Sequence, residues 1–156
     1  MAKGDEIVVM DRSKYDANSN GIVDLAEVAL SGGGGDAEVQ IAKAGSDGLT
    51  TGQLVYIHNA SGSVLTADLA DATDENKIAD GFVKQSYNAD ANATIYLDGE
   101  VPGAGLTPGD MYYLQISPGA KGTSAPTASG NIIQAIGPAI SATAIKFDPD
   151  RSPIVI

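Results

Sequence analysis

The sequence predicts a mainly β fold: a small antiparallel β-barrel or sandwich, preceded by a short N-terminal arm that carries one short helix. Three observations predict it. Nineteen glycines and seven prolines in 156 residues require many turns. Between the turn clusters lie short β-prone runs, among them AEVQIAKA, QLVYIH, SVLTADL, KIADGFVKQ, ATIYLDGEV, MYYLQI, NIIQAIG and ATAIKF, at the spacing of a small barrel or sandwich. Finally, GLTTGQLVYI at residues 48–57 recurs as GLTPGDMYYL at residues 105–114. In both, a glycine-bearing turn leads into a strand, and each is followed by an aliphatic strand with a glycine where it bulges or bends, KIADGFV and IIQAIGPAI. The echo reads either as two related β-units or as shared turn chemistry.

Domain organisation follows from SGGGG at residues 31–35, a flexible hinge that ends an N-terminal arm, residues 1–35. The β-domain takes residues 36–150, and SPIVI leaves an apolar C-terminal tail, residues 151–156. Three aliphatics at such an end are costly in water, so the tail folds back on its own domain or is buried against another subunit. In the arm, EIVVM either adds a strand to a neighbour's sheet or forms the first strand of its own.

The arm holds the clearest motif. YDANSNGIVDLAE fits the calcium-loop pattern, with Asp16, Asn18 and Asn20 at the first ligand positions and Gly21 at the sharp turn. The Ile22 carbonyl and Asp24 follow, and Glu27 closes the loop with both oxygens. A hard cation wants six to eight oxygens, and this alternation supplies most of them. The same residues also serve as a turn, with Asp24 and Glu27 capping a short helix over LAEVAL. No helix precedes the loop, so a paired sensor hand is missing. No cofactor is required; calcium is the one candidate.

Composition excludes several classes. Twenty acids against nine bases give a net charge of −11, which repels phosphate backbones and anionic membranes, so nucleic acid and membrane are not expected partners. There is no cysteine, hence no disulfide or thiolate chemistry. The start lacks the apolar core of a leader and no run approaches the ~20 residues of a bilayer span, so the chain is expected to be made soluble in the cytoplasm. The sequons at Asn59 and Asn92 read as turn chemistry.

Enzymatic function has little support in the residues. The one histidine, His58, ends QLVYIH before the turn NASG and reads as structural or solvent-facing; no serine sits in a nucleophile elbow. Asp98 and Glu100 in YLDGEVPG are the best carboxylate pair, but Gly99 and Pro102 make them turn residues. The acids of ADLADATDEN read as a solvated turn, and residues 117–130 as a surface loop. Of the neighbours Tyr112 and Tyr113, alternation sends one to the core and the other to solvent or a partner.

The segments LTTGQLVY, GFV, LTPGDMYYL and the PG turn at Pro118, across residues 37–148, resemble the β-domain of capsid decoration (cement) and head-fibre proteins of tailed bacteriophages. The resemblance implies a virion protein on the capsid surface, not an enzyme, whose partner is the major capsid protein and which assembles as a homotrimer. A carbohydrate- or receptor-binding knob of a phage head or tail fibre is the alternative. The calcium reading is tested by calorimetry: binding heat in the parent should vanish in Glu27→Ala, and a parent without heat leaves the turn and cap alone.

Overall fold

The computed structural model describes residues 37–61 and 64–156, a body running from Ala37 to Ile156. The expected helix, the EIVVM strand, the glycine hinge and the whole calcium loop lie outside the described residues. Within them the fold is mainly β with no helix, as expected of the domain.

The first five strands are β1 (Val39–Ala44), β2 (Leu54–Ser61), β3 (Val64–Leu69), β4 (Gly81–Phe82) and β5 (Asn92–Tyr96). They close into a barrel in the order β1-β3-β2-β4-β5, with β5 returning to β1 through five paired positions. The expected antiparallel arrangement fails at one seam: β1 runs parallel to β3, pairing Lys43 with Thr66 and Ala44 with Ala67. The reason is parity. Strand directions cannot alternate all the way round a ring of five, so one pair must be parallel. Barrel width grows with strand number, and this narrow interior is filled by small residues, Ala42, Ala44, Ala67 and Ala93, around Val55 and Ile95.

The remaining strands are β6 (Gly99–Pro102), β7 (Met111–Leu114), β8 (Lys121–Gly122), β9 (Ile132–Ile133), β10 (Ala135–Ser141), β11 (Ala144–Phe147) and β12 (Ile154–Val155). Five of them form an open sheet, which read from β8 runs β8-β7-β10-β11-β6. Starting the barrel at β3 gives β3-β2-β4-β5-β1, the same order under the sequence echo. The second unit is therefore the first one opened at its parallel seam, and every pair it keeps is antiparallel. Parallel pairing is the weaker kind per residue.

The echo extends to the backbone. Gly48 and Gly105 have φ of 67° and 64°, and Gly52 and Gly109 have φ of 82° and 92°. Gln53 N–H donates to the Thr50 carbonyl at 3.0 Å and Asp110 N–H to that of Thr107 at 3.1 Å. Gly52 and Gln53 exchange hydrogen bonds with Val83 at 2.8 and 3.2 Å, just as Gly109 and Asp110 do with Ala139 at 2.8 and 2.9 Å. The partner strands match too, with Gly81 opposite Val55 and Gly137 opposite Tyr112. At each glycine a Cβ would strike the next strand, 2.7 Å from the Tyr96 carbonyl or 1.9 Å from that of Lys146. A bulge between Ala135 and Gly137 accompanies the second.

What holds the second unit open is the first. Residues of β2 alternate, so Val55 points into the barrel while Leu54 points out. Leu54, Phe82 and Tyr96 form a cross-strand row on that outer face. Leu54 and Phe82 are fully buried among Tyr112, Leu114, Ile136, Ile145 and Phe147 of the second unit. The Phe82 and Phe147 rings meet at 5.1 Å. In the gap between β6 and β8 sits the turn at residues 50–53: the Lys121 ammonium donates to the Gly52 carbonyl at 2.7 Å, and a Cβ on Gly52 would lie 2.6 Å from the Pro102 carbonyl oxygen. Burial lowers the Lys121 pKa.

Polar groups complete the joint. Leu54 N–H donates to the Gly119 carbonyl, Gly119 N–H to Ala70 and Ala70 N–H to Leu54, at 3.1, 2.7 and 3.0 Å, a closed ring between the units. Gln134 is fully buried. Its amide accepts from Ala79 N–H at 2.7 Å and donates to the Ala79 and Asp150 carbonyls at 3.2 and 3.0 Å. At the C-terminus Ile154 pairs with Ile133 and Val155 with Ile132, so the tail folds back on its own body with both side chains exposed.

The two echoed turns give a paired test. Among the described residues nothing lies within 4 Å of a Cβ on Gly109, so Gly109→Ala should cost only its left-handed backbone, about 1–2 kcal/mol. Gly52→Ala adds the clash with Pro102 and should cost about 1–3 kcal/mol more in urea melts.

Candidate functional site

A groove beside β2 and β3 brings together a histidine, a tyrosine, two aspartates and a lysine. Register sets it: Tyr56 lies opposite Asp68 and His58 opposite Thr66. With a period of two, all four side chains share the outer face of the barrel. The His58 Nε2 meets Asp68 Oδ2 at 2.6 Å, both side chains about a third exposed. A carboxylate only accepts, so Nε2 carries the proton and Nδ1 is left to accept in the neutral ring. The imidazole stacks on the Tyr56 ring, centroids 5.0 Å apart and planes 20° from parallel. Asp68 reaches over Gly45, where an added Cβ would lie 1.4 Å from its Oδ1; only glycine leaves room for this carboxylate. Burial, and secondarily the Asp68 charge, raise the Tyr56 pKa, so the phenol stays a hydrogen-bond donor through the neutral range.

The loop after β3 supplies the other wall. Asp71 is buried, and its Oδ1 accepts from Thr73 N–H at 2.9 Å and from the Thr73 hydroxyl, while Lys77 Nζ stands 3.5 Å from Oδ2. Asp71 N–H donates to the Lys77 carbonyl at 3.1 Å, closing the loop on itself. The acids of this stretch are therefore not all solvated, contrary to the sequence expectation. Asp71 is drawn inward because the neighbouring Ala70 and Ala72 are packed in the main core. Asp74 keeps the expected role, accepting from Asn76 N–H at 2.9 Å, a bond that lowers its pKa. Tyr56, Asp68, Asp71, Lys77 and Pro118 line a cavity of about 280 Å³, and a second of about 540 Å³ shares Ser46 and Asp68 with it.

The calcium ligands Asp16, Asn18, Asn20, Ile22, Asp24 and Glu27 lie outside the described residues. Asp98 and Glu100 are exposed and part company: Asp98 accepts from Glu38 N–H at 2.6 Å, tying the start of β1, while Glu100 stands opposite Lys146. Tyr112 packs in the core and Tyr113 is half-buried on the other face, as alternation requires. Residues 117–130 are only partly the surface loop expected, because Gly119 is buried in the hydrogen-bonded ring and β8 forms a hairpin with β7. Sequence reasoning singled out His58 without its partner. The available signal was the spacing of QLVYIH and SVLTADL as a hairpin, which brings Asp68 back beside it.

No known protein family matches this chain, and no curated protein does. Asp71→Ala should strand the Thr73 and Lys77 donors and cost about 1–3 kcal/mol in thermal melts, whereas Asp74→Ala at an exposed turn should stay within about 0.5 kcal/mol.

Proposed function

We propose that this chain is a non-enzymatic decoration, or cement, protein of a tailed-phage head, which binds the major capsid protein on the outside of the assembled shell as a homotrimer. Two things support the reading: the resemblance of residues 37–148 to that family, and a strip of exposed apolar side chains on the barrel. The strip carries it. Val39, Ile41 and Val64 are 47%, 55% and 49% exposed. The parallel register of β1 with β3 sets Ile41 beside Val64, on the far side of the barrel from the second unit. A contiguous apolar face of this kind marks a protein contact.

The net charge of −11 suits a protein crowded on a shell surface and argues against nucleic acid or lipid as the partner. Binding to assembled shell but not to free subunits stabilises the shell by mass action, and symmetry repeats each weak contact. Co-sedimentation with mature heads that lack the protein tests this. Full-length chain should bind and raise the temperature at which heads break; Ile41→Asp with Val64→Asp should bind at least tenfold more weakly while melting like the parent. Absence of binding by the full-length chain refutes the shell reading.

A further inference from the structure

We propose that the groove over Tyr56, Asp68 and Asp71 binds a neutral oligosaccharide. A sugar ring presents a CH face, which needs an aromatic or apolar plane, and a fringe of hydroxyls, which need acceptors and donors already fixed in place. The groove holds both. Tyr56 is backed by the stacked His58 ring, and Pro118 lines the same cavity.

The acceptors are pre-oriented. Asp68 is held by His58 and Asp71 by Thr73, each through bonds that leave further lone pairs for a ligand. A carboxylate fixed before binding loses no rotamer freedom when a hydroxyl arrives. Lys77 and the Tyr56 phenol supply donors.

Charge selects the class. Among the described residues Asp47, Asp68 and Asp71 line the cavity against one cation, Lys77, so a sialylated or phosphorylated sugar meets repulsion while a neutral one does not. The cavity of about 280 Å³ adjoins that of about 540 Å³ at the shared Ser46 and Asp68, so the two side by side offer a footprint longer than one ring. This inference rests on Tyr56, Asp68 and Asp71 and not on the apolar strip; Val64 of that strip also lines the larger cavity, and the variants used below leave Val39, Ile41 and Val64 in place.

His58 is the only histidine of the chain, so its ring resonances identify themselves by NMR. Full-length protein is titrated with maltotriose, cellotriose, mannotriose and chitotriose, and with sialyllactose as the anionic control. At least one neutral trisaccharide should move the His58 signals saturably with Kd of about 1 mM, and sialyllactose should not. Asp68→Asn should weaken that binding about tenfold, the loss of one charge-assisted hydrogen bond, with the melting temperature unchanged. Lys77→Met provides a second variant should Asp68→Asn fold poorly, and should also weaken binding. No movement with any neutral trisaccharide, equal binding of sialyllactose, or unchanged affinity in both variants overturns the proposal. None of these outcomes bears on sedimentation with heads.

Discussion

The fold depends on one contact, the burial of the Leu54, Phe82 and Tyr96 row beneath the second unit. Because neighbouring residues of β2 face opposite ways, Val55 belongs to the barrel interior and Leu54 to the shared core, so one strand serves both. Fully burying a leucine or phenylalanine contributes roughly 1.5–3 kcal/mol. The greater effect is architectural. A second closed barrel would have nowhere to put this row; an opened one wraps it.

The glycine pairs show how two copies with few identical residues keep one backbone plan. Left-handed turns and close strand crossings tolerate little but glycine, so Gly48 and Gly105, Gly52 and Gly109, and Gly81 and Gly137 persist while the side chains between them diverge. Divergence is greatest where the copies meet. Leu54 is buried against the second unit, whereas Met111, its counterpart, is exposed on the outer face of β7.

Much of this was legible in the sequence because turn chemistry is local. Glycine, leucine, threonine and tyrosine at shared offsets in GLTTGQLVYI and GLTPGDMYYL marked the echo, leaving related units and shared turn chemistry both open, and simple alternation separated Tyr112 from Tyr113. Closure of one unit and opening of the other were not legible, since both turn on the pairing of residues 39–44 with 64–69 and on the Gly52 turn entering a distant gap. Gln134 looks like any polar residue until its three backbone bonds to Ala79 and Asp150 are seen. Asp71 differs from Asp74 only in its neighbours. The His58 and Asp68 bond needed the hairpin register, and the groove needed Pro118 from the other unit.

The parallel seam has a mechanical side. β1 is the strand through which the preceding 36 residues join the body, and it is laced to β5 by five paired positions and to β3 by two. Tension along β1 would load both ladders in shear, many hydrogen bonds at once, whereas tension applied at the C-terminus would meet β12, which pairs with β9 at only two positions. The body is thus built to bear force from its N-terminal end and to fray from the other.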